Sequence, residues 1–544
     1  MTHQVLNQAK PATGYNAFTD DAVLRDQVER YAPWSAANAT AIGALAGDEK
    51  VQEAARLANE HGPQLRSHDR FGNRIDWVEF HPAWHELMGF AFGHGVHSLA
   101  WTAPQASGHF ARAVQSYLWN QVENGVGCPT GMAYAAAAGF AGRPQFAEWH
   151  KKTISTQYDQ RRLPIQQKQG AVIGYAMTEK QGGSDLRQTQ TTGSFVGSEN
   201  GADIYLLTGH KWFFSVPTCD GFYTLARTQS GISCFFVPRM LDDGSFNRVF
   251  VQRLKDKCGN RSNASSEVEF DQTRAMLVGE EGKGIREILT HSHLTRLDFA
   301  VGSAGLMRQA LTLAINHAST RNGFGQLMSE LPMQANVLAD LALESEAATL
   351  AALRIARATD AMATSESERL LARVATPVVK FWNCQRASYF VYEAVQVHGG
   401  NGFIMESPIA RLYREAPLNS IWEGTSNMMC MDVLRALSRE PGAREAFLAE
   451  VSGSGAADQT HRGFLNSLAD DLTAQVNDEG GARSLVTRMM MALQASEMLK
   501  HSPPAVAQRF VDSRLGGKHA GVIGTLTNGP DLGDIVRRAA ILAN

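Results

Sequence analysis

Ile421-Trp422-Glu423-Gly424-Thr425-Ser426-Asn427 places a single carboxylate between a bulky aromatic residue and a glycine in an otherwise uncharged run. That setting predicts a buried Glu423. Withdrawal from water disfavours the charged form of a carboxylate and raises its pKa toward neutrality, which suits it to removing a proton. Taken alone, a helix-cap glutamate or an ion-pair partner for Arg411 or Arg414 is the commoner explanation, and the rest of the chain has to decide.

Upstream of this stretch the apolar residues recur at helical spacing. Leu306, Ala310, Leu313 and Ala314 share one face, and Leu338, Leu341 and Ala342 another, which predicts long helices in a bundle that the Glu423 segment closes. Before Gly284 the pattern is different. Ile204 to Leu207, Phe222 to Ala226, Cys234 to Val237, Val249 to Val251 and Ser266 to Phe270 are short β-branched or aromatic runs between Gly, Asn and Asp turns, as strands require. From Asp26 to about Gln169 the spacing is mostly helical again, including the alanine-rich Met132 to Ala141. The expected organisation is an N-terminal arm (1–30), an N-terminal helical domain (31–170), a central β domain (171–284), a helical bundle (285–440) and a C-terminal helical domain (441–544). Pro441-Gly442 and Ser452-Gly453-Ser454-Gly455 punctuate the last boundary. The fold class is therefore multidomain and mainly α with a central β domain. Strands and helices do not alternate, which disfavours a doubly wound nucleotide fold.

A chain of 544 residues exceeds one hydrophobic core, so several domains are expected. Its 44% hydrophobic and 19% charged composition is that of an ordinary globular protein, and a net charge of -3 gives no global attraction to nucleic acid or anionic lipid. Cys128, Cys219, Cys234, Cys258, Cys384 and Cys430 show no metal-ligand or redox spacing, and no signal peptide or membrane-length apolar run is read, so a cytoplasmic location is expected. The pairs His81/His85, His94/His97 and His291/His293 lack a third ligand, and no metal site is expected.

Four glycine- or arginine-bearing motifs precede Glu423. Met177-Thr178-Glu179-Lys180-Gln181-Gly182-Gly183-Ser184-Asp185 lies where helical pattern gives way to strands. It is either a glycine turn or a backbone surface with Thr178 and Ser184 hydroxyls for a flat ligand. Gly209-His210-Lys211-Trp212-Phe213-Phe214-Ser215 is core packing or a stacking face. Arg321-Asn322-Gly323-Phe324-Gly325 follows a long helix as a C-terminal cation or a pyrophosphate ligand. Gln396-Val397-His398-Gly399-Gly400-Asn401-Gly402 is a C-cap or a bare-backbone cradle. Gly279 to Gly284 carries two acids that would repel phosphate, and reads as a strand-to-helix turn.

In this order, and with Lys257-Cys258-Gly259-Asn260-Arg261 between them, these motifs resemble the acyl-CoA dehydrogenase family of flavoproteins over about Ala171 to Leu437. The resemblance implies that family's fold, a helical domain, a β-barrel-like domain and a four-helix bundle, with FAD as cofactor. Met177, Thr178, Gly183, Ser184, Phe213 and Ser215 would contact the flavin. Arg321, Phe324, Gln396, Gly399 and Gly400 would hold the pyrophosphate and adenosine end across a dimer interface, and Thr425 and Asn427 would return to the same cofactor. Glu423 would remove the proton next to a thioester carbonyl while FAD accepts the hydride, with Arg296 at the family's arginine near that site. The resemblance adds an acyl-CoA-like substrate.

Val5-Leu6-Asn7-Gln8, Phe80-His81-Pro82-Ala83-Trp84-His85, Lys180-Gln181 and Lys211 to Pro217 resemble the alkylation-response branch of this family, as does the chain beyond Leu437. That branch implies a homotetramer built as a dimer of dimers, binding of double-stranded DNA and protection against alkylation damage, with Arg435 and Arg514 facing phosphates. From Arg483 onward eight Lys and Arg residues face four Asp and Glu, which makes a basic surface or an ordinary solvated face. Phe213 stands where the family stacks a tryptophan on the flavin, Lys180 where proline is usual, and Trp422 where tyrosine is common. These departures leave FAD binding in place and set the substrate apart from an ordinary acyl-CoA. The alternative is a metabolic dehydrogenase of short or branched acyl-CoA whose last domain serves assembly.

Overall fold

The structure, a computed structural model, describes residues 2–103, 105–453 and 459–541; Ser454 and Gly455 of the expected linker lie outside them. The chain forms two compact units, each assembled from separated segments.

One unit comprises Lys50–Pro104 and Glu123–Thr295. Its first two strands, β1 (Gln64–His68) and β2 (Arg74–Glu79), form an antiparallel hairpin inside the stretch expected to be mostly helical, which corrects that expectation. The turn between them is set by Asp69, whose carboxylate accepts from the amides of Phe71 and Asn73. The main sheet has seven strands: β3 (Ile173–Ala176), β4 (Thr192–Glu199), β5 (Ala202–Phe214), β6 (Gly221–Thr228), β7 (Gly231–Pro238), β8 (Val249–Leu254) and β9 (Ser266–Val278). Neighbours run β6-β4-β5-β9-β7 and β7 pairs back to β6, so five strands close a ring, with β3 added to β6 and β8 to β9. Closure leaves the ring without long free edges. Strands β6 and β7 are buried along most of their length. Against them pack Ala136 and Phe140 of the helix Asn124–Phe140, with Phe146, Trp149, Ile173, Tyr223, Leu225 and Phe236 in one apolar cluster.

The other unit comprises Met1–Glu49, Gln105–Val122 and Arg296–Asn544 and is helical. The helix Gly284–Thr320 contributes its part from Arg296 onward, and Pro332–Ala361 and Glu366–His398 are the other long rods. Their alanine- and leucine-rich faces are buried. Arg112 and Asp298 form a buried ion pair to which Ser116 adds a 2.6 Å hydrogen bond, and Arg308 pairs with Asp21 at 2.9 Å. Residues 441–544, expected as a domain of their own, share this unit: Ala482–His501 and Leu532–Ala539 both pack on Pro332–Ala361.

Candidate active site

Glu423 lies in the loop between the 3₁₀ turn Ala416–Ser420 and the helix Ser426–Arg439. It is half-buried rather than buried, which corrects the reading from its neighbours. Its backbone is left-handed, at φ +55°, and Gly424 follows at φ +103°. A non-glycine residue in this region costs about 1–2 kcal/mol, so the surroundings must impose it.

The imposing groups are two cations from two helices. Lys380, fully buried on Glu366–His398, donates from Nζ to the carbonyl oxygens of Trp422 at 3.0 Å and Gly424 at 2.6 Å. Arg296 Nε donates to the carbonyl of Glu423 itself at 3.3 Å. Three consecutive carbonyls are thus turned toward positive charge. Burial lowers the Lys380 pKa, opposed in part by the charges of Cys384 and Glu423. Arg296 is held by an ion pair with Asp432 at 2.8 Å, and Arg373 takes the same carboxylate at 2.9 Å. Arg411 donates instead to the Val122 carbonyl. The Trp422 ring stacks on Phe299 at 4.6 Å and its Nε1 donates to Asn419 Oδ1 at 3.0 Å, which fixes the approach to the loop.

Thr425 is the N-cap position of Ser426–Arg439. Asn427, exposed in its first turn, accepts from Arg483 at 3.3 Å, and Arg483 also reaches Gln385 at 2.5 Å. Gly399, at φ +60°, ends the helix Glu366–His398, and a Cβ on Gly399 or Gly400 would meet nothing within 4 Å, so bare backbone faces open space. Gln396 is exposed and bonds Glu393 at 2.9 Å. The motif at Arg321 is a miniature hairpin of β10 (Asn322–Gly323) and β11 (Gln326–Leu327). Its tip, Phe324, is 98% exposed. The arm is fastened here: Asn7 exchanges two 2.8 Å hydrogen bonds with the backbone of Asn322, and Arg321 donates to the Asn7 carbonyl at 2.9 Å.

In the β unit the loop Met177 to Ser184 is anchored through Glu179. Its carboxylate is buried against Lys211 at 2.7 Å and also accepts from the Thr191 hydroxyl, Gln181 and the amide of Gln190. Burial raises the Glu179 pKa, but Lys211 and these donors outweigh it and hold it at about 2. Burial draws Lys211 down to about 8 against the pull of Glu179, so the pair is ionic at neutral pH. The Thr178 carbonyl accepts from the Trp212 amide at 2.7 Å, and Gly183 is seated where a Cβ would lie 2.9 Å from Thr178 Oγ1. Met177 and Thr178 are half-buried and Ser184 is exposed. Next to this loop Phe213 presents a ring that is 48% exposed, and the Ser215 hydroxyl pairs with Ser265 at 2.9 Å, itself bonded by Lys257 at 3.1 Å. An exposed ring, a hydroxyl chain ending in a lysine and a close-packed glycine loop on one sheet suit a flat, hydrogen-bonding ring system such as a flavin.

Two residues that hold this loop carry little signal in the sequence. Lys380 was visible as a lone cation in the apolar run Pro377-Val378-Val379-Lys380-Phe381, and Asp432 carried no signal at all. The phosphate-facing reading of Arg514 is corrected. Its side chain is 4% exposed and pairs with Asp340 at 2.5 Å and Glu344 at 3.2 Å. Most of the C-terminal cations are similarly taken: Arg488 by Asp471, Lys500 by Glu450 and Glu497, Arg509 by Asp531, Arg537 by Asp534 and Arg538 by Glu346. Arg435 remains exposed.

A ring-closed β sheet, a long-helix bundle and a glutamate loop closing it define an oxidoreductase of the acyl-CoA dehydrogenase type. Residues 174–273 match the acyl-CoA dehydrogenase middle domain, 282–438 its C-terminal domain, and 7–160 the N-terminal domain of the adaptive response protein AidB. The chain is 43% identical over 517 residues to AidB of Escherichia coli (strain K12), covering 94% of each. Two solved structures share the fold. ACDH-11 of Caenorhabditis elegans in complex with C11-CoA superimposes at a TM-score of 0.86 with 22% identity, over 99% of this chain and 97% of that one. A Bacillus anthracis acyl-CoA dehydrogenase complexed with FAD gives 0.68 with 18% identity, over 97% and 95%. The chain belongs to the acyl-CoA dehydrogenase family, on its AidB branch.

Proposed function

We propose that this chain is an FAD-dependent oxidoreductase acting on an acyl-thioester, with Glu423 removing the proton next to the carbonyl. The observation that carries this reading is the strained Glu423 backbone, held by Lys380 and Arg296 through three successive carbonyls. Strain retained at an acidic residue in an accessible loop is a mark of a working group. The complexes of ACDH-11 with C11-CoA and of the Bacillus anthracis enzyme with FAD support the choice of substrate class and cofactor. FAD, when bound, supplies the hydride acceptor. Met177, Thr178, Gly183, Ser184, Phe213 and Ser215 would hold its ring end. Arg321, Phe324, Gln396, Gly399, Gly400, Thr425 and Asn427 would hold the remainder. Arg296 positions Glu423, and Trp422 limits the acyl group. Exposed Phe324, Met333 and Phe403 support self-association, which we take to be a dimer of dimers. Six cysteines that form no disulfide among the described residues support a reducing, cytoplasmic setting.

The test is anaerobic mixing of the FAD-loaded protein with short, branched and medium acyl-CoA thioesters. At least one should bleach the flavin absorbance, and Glu423→Gln should abolish the bleaching while FAD stays bound. Bleaching that survives Glu423→Gln removes the base from this position.

We also propose that the protein binds double-stranded DNA and limits its alkylation, as its place on the AidB branch supports. The surface is narrower than the C-terminal composition suggests. Arg435 and Arg439 are exposed four residues apart on Ser426–Arg439, and Arg435 forms no ion pair among the described residues. Duplex affinity should fall steeply with salt, and removing either charge should make the slope shallower by about one. No duplex binding at low salt removes this reading and leaves the first intact.

A further inference from the structure

In the β unit a cavity of about 460 Å³ opens between β2, the start of the helix Pro82–Gly93, the loop around Tyr158 to Lys168 and the segments flanking β6 and β7. None of the groups assigned above to base, thioester or flavin lines it. Its walls are aromatic: Trp84 and Trp149 are buried within it, and Trp77 and Phe246 are exposed at 40% and 56%. The volume lies in the range of about 300–1,000 Å³ typical of small-molecule pockets.

The charges around this cavity do not balance. Asp159 is taken by Arg161 at 2.8 Å and by the amide of Gln169, and Asp220 by Lys168 at 2.8 Å and the amide of Val172. Asp76 is taken by Arg74 at 3.0 Å and the amide of Val251. Arg162 and Arg239 are left over. Neither forms an ion pair among the described residues; Arg162 donates to the carbonyls of Ile75 and Asp76, and Arg239 to that of Val249. The Arg162 guanidinium lies over Trp77 at 4.1 Å and Phe246 at 5.4 Å, so the cavity carries a cation stacked on aromatic rings. Burial, with the repulsion of Arg239, lowers the Arg162 pKa to about 10. His85, beside them, bonds the Tyr158 hydroxyl at 2.7 Å, and burial lowers its pKa, which leaves it neutral at pH 7.

One lining residue also carries an unsatisfied buried donor. Trp84 is 2% exposed, yet its indole N–H has no hydrogen-bond partner among the described residues. An unsatisfied buried donor costs about 1–3 kcal/mol. Two arginines with no ion-pair partner among the described residues, and only the shared charge of Asp76 opposing them, add to that cost. A carboxylate on the guanidinium fork, which takes both oxygens, would supply the missing counter-charge.

We propose that this cavity binds a small amphipathic monocarboxylate, its apolar or aromatic body among Trp77, Trp84, Trp149 and Phe246 and its carboxylate on Arg162 and Arg239. The site is separate from the Glu423 centre and does not depend on the acyl-thioester reading.

Calorimetric titration of the FAD-loaded protein with 1-naphthoate and with its uncharged amide tests this directly. The carboxylate should bind saturably, one per chain, and at least tenfold more tightly than the amide. Arg162→Gln should cost the carboxylate at least tenfold and the amide little, and Trp84→Phe should weaken the carboxylate severalfold. Glu423→Gln should leave the affinity unchanged. Absence of saturable binding to the wild-type protein, equal affinity for acid and amide, or loss of binding in Glu423→Gln would each overturn the proposal, and the wild-type comparison decides it even where a cavity variant fails to fold.

Discussion

Lys380 Nζ lies 2.6 Å from the carbonyl oxygen of Gly424, and the same ammonium reaches the carbonyl on the other side of Glu423. A buried lysine from one helix thereby sets the backbone of an acidic residue 43 positions later.

Lys380→Met keeps the length of the side chain and removes the charge. Two buried carbonyls lose charge-assisted hydrogen bonds worth about 1.5–3 kcal/mol each, partly offset by relief of burying the ammonium. We expect a stability loss of about 2–3 kcal/mol in denaturant unfolding, and flavin bleaching slowed by about a hundredfold as Glu423 leaves its position.

Gly424 and Glu423 should respond in opposite directions. In Gly424→Ala a Cβ would meet Met429 Cε at 2.4 Å in a left-handed backbone, so a loss of about 1–3 kcal/mol is expected. Glu423→Gly relieves the left-handed strain and should raise stability by up to about 1 kcal/mol while abolishing bleaching. A Glu423→Gly protein less stable than wild type would show that the loop is not strained there.

The Glu179–Lys211 pair predicts a pH response. Glu179 titrates at about 2 in the folded chain against an ordinary value of 4.5, so its stabilising contribution is complete above about pH 4.5 and is lost as pH falls toward 2. Lys211, lowered from 10.5 to about 8, adds a second rise of the same sign, its burial costing stability at neutral pH and that cost relieved as pH rises from 8 toward 10.5. Lys211→Met should cost about 3–5 kcal/mol because it strands a buried carboxylate, and should flatten both limbs of the stability profile. Glu179→Gln/Lys211→Met should be less damaging than Lys211→Met alone.

Arg514 and Arg435 separate structural from nucleic-acid roles. Arg514→Gln should cost about 3–5 kcal/mol of stability, since Asp340 and Glu344 lose a buried partner, with no change in the salt slope of duplex binding. Arg435→Gln should leave stability within about 0.5 kcal/mol and reduce that slope.

The architecture was legible where periodicity was strong. Val249 to Val251 and Cys234 to Val237 could only be strands, and the alanine-leucine spacing of 306–314 and 338–342 could only be helix. The hairpin at Gln64–Glu79 was missed because its strands are short and charged, although the Asp69 to Asn73 turn was in plain view. The unusual setting of Glu423 was readable, but its degree of burial was not, because neighbours in sequence do not report what covers a loop. The basic surplus after Arg483 misled for a related reason: the acids that neutralise Arg514 and Arg538 are Asp340, Glu344 and Glu346, more than 150 residues earlier. Counting one segment registers only one side of each pair.

The left-handed backbone at Glu423 has an evolutionary corollary. Glycine and asparagine are more comfortable there than an acid, so random replacement at this codon drifts toward residues that fit the chain better and cannot take a proton. An acid at this backbone therefore answers a requirement that glycine and asparagine do not meet, and on the reading proposed above that requirement is the transfer of a proton.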